Sequence, residues 1–437
     1  MDAKDILKIV KEKNIKFVEL WFVDILGRIK VFTITEKELP EALDSGMGFD
    51  GSSIEGFARI YESDLIAKPD PNSFKILPYR ENVAKMVCDI YTPEGKNYAG
   101  DPRNCLKQNL ELIKKDGYTF YVGPELEYFY FKNDSSTEIL DEGGYFDYMP
   151  GEDAGINMRL KTMEYLDQMG IQAEYAHHEV ATSQHEIDLK YDEALNMADK
   201  VMVYKSLVKE VARQNNAYAT FMPKPISGIN GSGMHVHQSL FSGDKNLFFA
   251  KEEKYHLSDI AKHYIAGILK HSREICIVTN QWVNSYKRLV PGYEAPVYIC
   301  WARKNRSALI RVPEYKPGKE KSTRIEVRFP DPGCNPYLAF AVMLRAGMEG
   351  IKNKYPLTEP LEVSAYEMED IERKALKIDE LPGSLIEAIE IAENSKLLKD
   401  TLGEHIFNQF IQNKKIEWDN YRTQVTDFEL KKYLPLL

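Results

Sequence analysis

Three stretches of the chain place charged or imidazole side chains two residues apart in runs that otherwise read as β-strands. They are "GPELEYFYF" with Glu125 and Glu127, "GMHVHQS" with His235 and His237, and "RIEVRF" with Glu326 and Arg328. A fourth, "HHEVATSQHEID", adds Glu179 and Glu186. In a strand, residues two apart share a face, so each pair projects to one side of a sheet. For Glu125 and Glu127 alone, the simpler reading is a half-exposed strand with both carboxylates in solvent and Leu126 and Tyr128 in the core. The recurrence across separate segments shifts the balance to one shared site, because like charges among aromatic residues need a cation. Carboxylates with one or two imidazoles suit Mg2+ or Mn2+, whereas zinc would more often show fewer carboxylates and some thiolate. His177, His178 and His185, taken singly, read as ordinary hydrogen-bonded histidines.

Positive charge gathers after the histidine segment, in "YKRLVPGYEAP" (Arg288), "KNRSALIRVP" (Arg306, Arg311) and "EKSTRIEVRF" (Lys321, Arg324, Arg328). Guanidinium forks match planar carboxylates and phosphates. An acidic metal cluster beside an arginine cluster is the layout of phosphoryl transfer, where both neutralise the moving charge. The glycines of "KPISGINGSGMHVH" are not a Walker A loop, since GxxxxGK[ST] is absent and the lysine precedes them. They either bring a backbone close to a ligand or supply positive φ in a turn, and on glycines alone the turn is favoured.

The chain's 437 residues can bury a sizeable core and favour two or three domains, or one small domain on a large one. No apolar run approaches bilayer length, and "MDAKDILKIVKEKN" reads as an amphipathic helix instead of a secretory signal. A soluble, cytoplasmic protein with no membrane partner is expected. The five cysteines are scattered singly without CxxC spacing, which implies reduced thiols. A net charge of −10 argues against nucleic acid as a partner. "KFVELWFVDILGRIKVFTI" predicts a hairpin over 17–34, and "YTPEGKNYAGDPRN" breaks the pattern near residue 100, which gives domains of 1–100 and 101–437. Asp101 or Asn104 is placed to cap the helix that follows. Beyond it, strand-like and helical runs alternate in α/β or α+β order, and the last sixty residues read as helices ending in an apolar "YLPLL" that is expected to dock on something.

These residues resemble the prokaryotic type I glutamine synthetase family, in an alpha-like form. The likeness rests on "FDGSSIEGFARIYESDL", "GPELEYF", "HHEVATSQHEID", "KPISGINGSGMHVHQSL", "YKRLVPGYEAP", "NRSALIRVP" and "STRIEVRFPDPGCNPYLAFAVMLRAG", in the family's order from about residue 15 to the C-terminus. It implies an α+β fold: a small N-terminal β-grasp domain and a large catalytic domain with a curved antiparallel sheet flanked by helices. It also implies a homododecamer of two hexameric rings, with sites shared between neighbouring subunits and the C-terminal tail inserted into the opposite ring.

The implied reaction joins ammonia to the γ-carboxylate of L-glutamate through γ-glutamyl phosphate, with ATP as co-substrate and two or three Mg2+ or Mn2+ ions per site. By resemblance, Glu127, Glu179 and Glu186 hold one ion, and Glu125, His235 and Glu326 a second. Glu174, His237, Ser239, Arg311, Lys321 and Arg324 match nucleotide positions. Asn230, Gly231, Arg288 and Arg328 match glutamate positions, with Arg306 near the transferred phosphate. Asp50 would deprotonate ammonium, and Glu294 would shield the acyl phosphate. Arg59 matches a position that some members use in feedback by glutamine; 2-oxoglutarate and small regulatory proteins are also within the family's range. The stretch "VSAYEMEDIE" places Tyr366 where other members are adenylylated but lacks the flanking residues, which implies an unadenylylated form. A γ-glutamyl ligase acting on a polyamine or other amine is the alternative within the fold, and the presence of both Asp50 and Glu294 favours ammonia.

Overall fold

The computed structural model describes residues 1–52, 54, 64–149 and 151–437, so the feedback expectation for Arg59 lies outside the described residues. The helix Ala3–Glu12 begins at a reciprocal cap between Asp2 and Asp5, and its Ile6 and Val10, four apart, face inward. They meet a sheet of six strands among the described residues, β1 (Phe17–Val23), β2 (Ile29–Thr35), β3 (Met47–Asp50), β4 (Asp64–Pro69), β5 (Lys75–Ile76) and β6 (Val83–Tyr91). β1 and β2 form the expected hairpin, turning through Gly27 at φ +82°. β6 lies parallel to β1 and antiparallel to β4, so helix and mixed sheet enclose one small core, the β-grasp arrangement.

Asp101 caps the next helix, Pro102–Lys115, accepting from Arg103 N at 2.9 Å. The Arg103 side chain, 4 % exposed, reaches Asp70 (2.8 Å) and Asp89 (2.6 Å) of the first sheet region and Asp199 (2.9 Å) of the helix Ala194–Gln214. One guanidinium thus ties the N-terminal sheet to the rest. The β1–β2 turn docks as well: Gln281 Nε2 donates to Leu26 O (2.8 Å) and Asn335 Nδ2 to Asp24 O (3.0 Å).

Among the described residues the second sheet has ten strands: β7 (Thr119–Phe131), β8 (Ala173–His178), β9 (Gln184–Leu189), β10 (Asp192–Glu193), β11 (Tyr218–Thr220), β12 (Met234–Ser242), β13 (Lys245–Asn246), β14 (Tyr298–Ala302), β15 (Ala308–Arg311) and β16 (Ile325–Val327). Its main order is β14-β15-β16-β12-β7-β9-β8, antiparallel except for the parallel edge pair β14 and β15. Leu126, Tyr128, Ile187, Met234, Val236, Ile325 and Val327 are completely buried on one face, in the same core as the helices. Each such side chain contributes roughly 1.5–3 kcal/mol.

Behind that face the helices Asp259–Thr279 and Pro336–Asn353 pack at backbone distance. A β-carbon on Gly350 would lie 2.0 Å from His263 O, so only glycine permits the approach. The chain ends in the helices Leu385–Glu393, Lys396–Arg422 and Asp427–Tyr433, with Leu434, Leu436 and Leu437 exposed. No described helix is long and apolar enough to cross a membrane.

Candidate active site

The opposite face of the second sheet carries the chemistry, and its layout follows from strand register. His235 on β12 stands opposite Glu125 on β7, and across β9 Asp188 stands opposite Glu125 and Glu186 opposite Glu127. Further out, Glu326 on β16 pairs with His237, Arg311 on β15 with Glu326, and His177 on β8 with Glu186. The alternation that buries Leu126 and Tyr128 therefore gathers acids, imidazoles and arginines around a cavity of about 220 Å3.

Glu125, His235 and Glu326 bring ligand atoms within 4.8 Å of one another, with His235 Nδ1 3.4 Å from Glu125 and 3.7 Å from Glu326. Burial pushes His235 down, with Arg328 adding to it, which leaves the neutral imidazole a metal ligand requires. Glu326 is gripped from both sides: Arg328 Nη1 lies at 2.5 Å and Arg311 Nε donates to its other oxygen. Burial opposes its charge, but Arg328, His237, His235 and Arg311 outweigh that and hold it at about 2.

The second cluster adds a histidine to the expected carboxylates. Glu179 and Glu186 converge with His177, whose Nε2 lies 2.8 and 3.5 Å from their carboxylates, so this histidine also stands at ligand distance. Glu127 lines the same cavity, but its Oε2 accepts from Gln184 Nε2 and Gly233 N, each at 2.8 Å. Burial and then Glu179 push its carboxyl up to about 8. Glu186 is driven well above the usual range by burial and by Asp188, Glu127, Glu125 and Glu179, and neither its Oε1 nor His177 Nδ1 makes a hydrogen bond among the described residues. Packed acids with orphaned donor atoms need a cation, and oxygen-rich donors with imidazole fit Mg2+ or Mn2+. A third group, Asp141, His178 and His185, does not fit an ion. His178 Nε2 bonds Asp141 directly at 2.9 Å, and the Arg159 guanidinium sits 2.7 Å from His185.

A second cavity of about 300 Å3 shares Glu125 and Tyr175 with the first and is lined by Glu174, His237, Ser239, Lys321 and Arg324. His237 joins the two: its Nε2 faces Glu125 at 2.7 Å and its Nδ1 accepts from Arg324 Nε at 3.2 Å. Accepting at Nδ1 fixes the tautomer with the proton on Nε2.

A family profile described as "Glutamine synthetase, catalytic domain" matches residues 99–433, and one described as "Glutamine synthetase, beta-Grasp domain" matches residues 14–93. The chain belongs to the glutamine synthetase family. A glutamine synthetase of Mycolicibacterium smegmatis is 50% identical over 99% of this chain and 98% of its own, and that of Methanosarcina mazei 49% over the same shares. Among solved structures, apo GmaS aligns with a TM-score of 0.89 at 29% identity over 99% of both chains. A cryo-EM structure of Plasmodium falciparum glutamine synthetase aligns with 0.89 at 28% over 99% of both. The chain is an enzyme of this family, a glutamate–ammonia ligase that makes glutamine at the expense of ATP.

Of the remaining positions expected from the glutamine synthetase likeness, Asn230, Gly231, Arg288, Glu294, Arg306, Arg311 and Arg328 line the first cavity. Arg311, which the resemblance places among the nucleotide residues, is bonded to Glu326. Arg288 points its guanidinium at the carbonyls of Phe329 (2.8 Å), Pro330 (3.3 Å) and Arg328 (3.3 Å), so it braces the wall as well as lining it. Glu294 sits at φ 57° and accepts from Asn230 Nδ2 at 2.9 Å. Asp50, at the exposed end of β3, is not among the lining residues; the Ser52 hydroxyl and amide hold it below the usual carboxylate range. From the sequence His177 reads as an ordinary histidine and Asp188 is not singled out, yet both stand in this cluster, and burial and Glu125 push Asp188 up to about 7. The signal was present, since His177 with Glu179, and Glu186 with Asp188, repeat the two-residue spacing.

Proposed function

We propose that glutamine forms in two steps across the two joined cavities, on a site that a neighbouring subunit completes. ATP lies along the second cavity, with Lys321 and Arg324 on its phosphates, His237 and Ser239 beneath them and Glu174 on the nucleoside side. Glutamate occupies the first, with Arg328 and Arg288 toward its α-carboxylate and Asn230 and Gly231 along its backbone. The γ-carboxylate oxygen attacks the γ-phosphorus, ADP leaves, and Arg306 and Arg311 offset charge on the transferred phosphoryl oxygens. Mg2+ or Mn2+, two or three ions held by Glu125, His235 and Glu326 and by Glu179 and Glu186 with Glu127 or His177, would supply Lewis-acid stabilisation of that charge.

Asp50 of an adjacent subunit then takes a proton from ammonium, and ammonia displaces phosphate from the γ-carbonyl carbon while Glu294 covers the intermediate. Asp50, exposed, held below the usual carboxylate range and not among the described residues that line its own chain's cavity, supports a shared site. The exposed leucines at the C-terminus support a tail that docks on another subunit of a two-ring dodecamer. We place the enzyme in the cytoplasm, with 1–100 and 101–437 as its domains, Tyr366 unmodified, and Arg59, 2-oxoglutarate, glutamine and small regulatory proteins as open routes to its control.

The observation that carries this reading is Glu125, a wall residue of both cavities that touches His235 on the metal side and His237 on the phosphate side. The test is glutamate-dependent phosphate release from Mg-ATP with ammonium, methylamine and putrescine compared as acceptors. Ammonium should be the best acceptor by far; turnover with putrescine but not ammonium would replace this reading by the amine-ligase one.

A further inference from the structure

Residues 361–366 run beside the two loops that carry Arg306 and Glu294, and they are bonded to both. Asn305 Nδ2 donates to the carbonyls of Leu361 (3.0 Å) and Val363 (2.5 Å), and Ser307 Oγ accepts from Ala365 N (3.1 Å). Both chain neighbours of Arg306 are therefore fixed to this segment. The Glu362 carboxylate adds two bonds, accepting from the amides of Arg303 and Lys304 at 3.1 Å each. At the other end Tyr366 Oη donates to Ala295 O at 2.6 Å, one residue beyond Glu294. The segment is itself braced by Arg373, which donates to Ala365 O (3.1 Å) and Met368 O.

The flap needs such an anchor. Glu294 adopts a left-handed φ of 57°, a conformation that costs a non-glycine residue free energy unless its surroundings enforce it. Two bonds do so, Asn230 to the Glu294 carboxylate and Tyr366 to the next carbonyl. Burial pushes the Tyr366 hydroxyl up to about 12, so it remains a donor at neutral pH, and Arg288 and Arg328 are close enough to lower it in part. The phenol thus stands between the substrate arginines and the flap backbone.

We propose that residues 361–366 form a strap that sets the position of the Glu294 flap relative to Arg306, with Tyr366 as its positioning residue. The hydroxyl holds the flap over the γ-glutamyl phosphate while Asn305 and Ser307 hold Arg306 against the same group. This rests on the roles proposed above for Glu294 and Arg306. With the flap latched, ammonia is the nucleophile that reaches the γ-carbonyl carbon. Unlatched, a water oxygen bonds to that carbon, the carbon–oxygen bond to phosphorus breaks, phosphate leaves with the electron pair, and the water proton passes to solvent. Glutamate is regenerated and ATP is spent without product.

The test measures phosphate released per glutamine formed, and glutamate-dependent phosphate release without ammonium, in wild type, Tyr366→Phe and Glu294→Ala. Tyr366→Phe removes one hydrogen bond, worth about a fivefold change in the latching equilibrium. Phosphate release without ammonium should rise about fivefold, and phosphate per glutamine should climb above one. KM for ATP and the melting temperature should stay at their wild-type values, which a general structural defect would not leave alone. Wild-type coupling in Tyr366→Phe overturns the strap, whatever Glu294→Ala does. Leakage in Glu294→Ala with tight coupling in Tyr366→Phe removes the strap alone, whereas tight coupling in both removes the Glu294 role as well. Glu362→Gln, which loosens the opposite end, should lower kcat for glutamine without leakage, and leakage there would reverse the assignment of the two ends.

Discussion

Replacing Glu326 by glutamine keeps the shape of the site and removes one charge, and the consequences can be worked from its neighbours. The side chain is 1 % exposed, with Arg328 at 2.5 Å, Arg311 on its other oxygen and His235 at 3.7 Å. Lowering its carboxyl from 4.5 to about 2 corresponds to about 3 kcal/mol of folded-state stabilisation. Breaking a buried pair by removing one partner costs a similar 3–5 kcal/mol, roughly, because the cations left behind are uncompensated. A chain of this length melts with an entropy of roughly 0.9 kcal/mol per kelvin, so Glu326→Gln should lower the melting temperature by roughly 3–5 °C at pH 7. The folded value lies below the unfolded one, so the stabilisation is fully present above pH 4.5 and is lost as pH falls through about 2. The gap between wild type and variant should therefore be flat from pH 8 to pH 5 and close below it. As a ligand of the proposed ion site, Glu326 should also set metal affinity: Mn2+ binding, followed by electron paramagnetic resonance, should weaken about 100-fold and glutamine synthesis should fall at least as much. Unchanged Mn2+ affinity and activity in a folded variant would show that this cluster holds no ion. An unchanged melting temperature at pH 7 would show that the arginines do not depend on it.

Two further changes test the frame around the site. Lys85 on β6 is 2 % exposed, and burial pushes its ammonium from 10.5 down to about 8, so the charged form is the disfavoured one. That cost is complete below pH 8 and fades as pH rises to 10.5, so Lys85→Met should stabilise by about 3 kcal/mol at pH 7 and by almost nothing at pH 10.5. Denaturant titrations at the two pH values measure it, and an equal gain at both would contradict the assignment. Gly350→Ala places a methyl 2.0 Å from His263 O and 2.7 Å from Gly267 Cα, so the two helices must separate. Overpacking of this kind costs about 3 kcal/mol, visible as a melting temperature roughly 3 °C lower; a wild-type melting curve would show that the helices yield freely.

What could be read from the sequence divides along a physical line. The two-residue spacing of Glu125 with Glu127, and of His235 with His237, marks the polar face of two strands because alternation is a local property of extended backbone. The same rule applied to "HHE" and "HEID" points to His177 and Asp188, and the structure puts both beside Glu186. The contacts that no local pattern reveals are those made by irregular backbone arriving from elsewhere in the chain. Arg288 reads as a substrate fork, yet its donors meet carbonyls of residues 328–330. Tyr366 reads only as a tyrosine aligned with a modification position whose flanking residues are missing, yet its hydroxyl holds the carbonyl of Ala295, next to Glu294. Asp50 ends a strand of the other sheet and is not among the described residues that line the cavity.

The difference has a cause in how each part is specified. A slip of β7 by one residue would send Glu125 and Glu127 into the helix-packed core and Leu126 and Tyr128 into the cavity, so burial and charge enforce the same register. A site written on strands inherits that redundancy and shows in the sequence twice, as alternation of apolar and of ionisable residues. The flap and the strap have no such second constraint. Scattered hydrogen bonds, many of them to main-chain carbonyls that any residue can supply, hold them, and so this part of the enzyme leaves the faintest mark in its sequence.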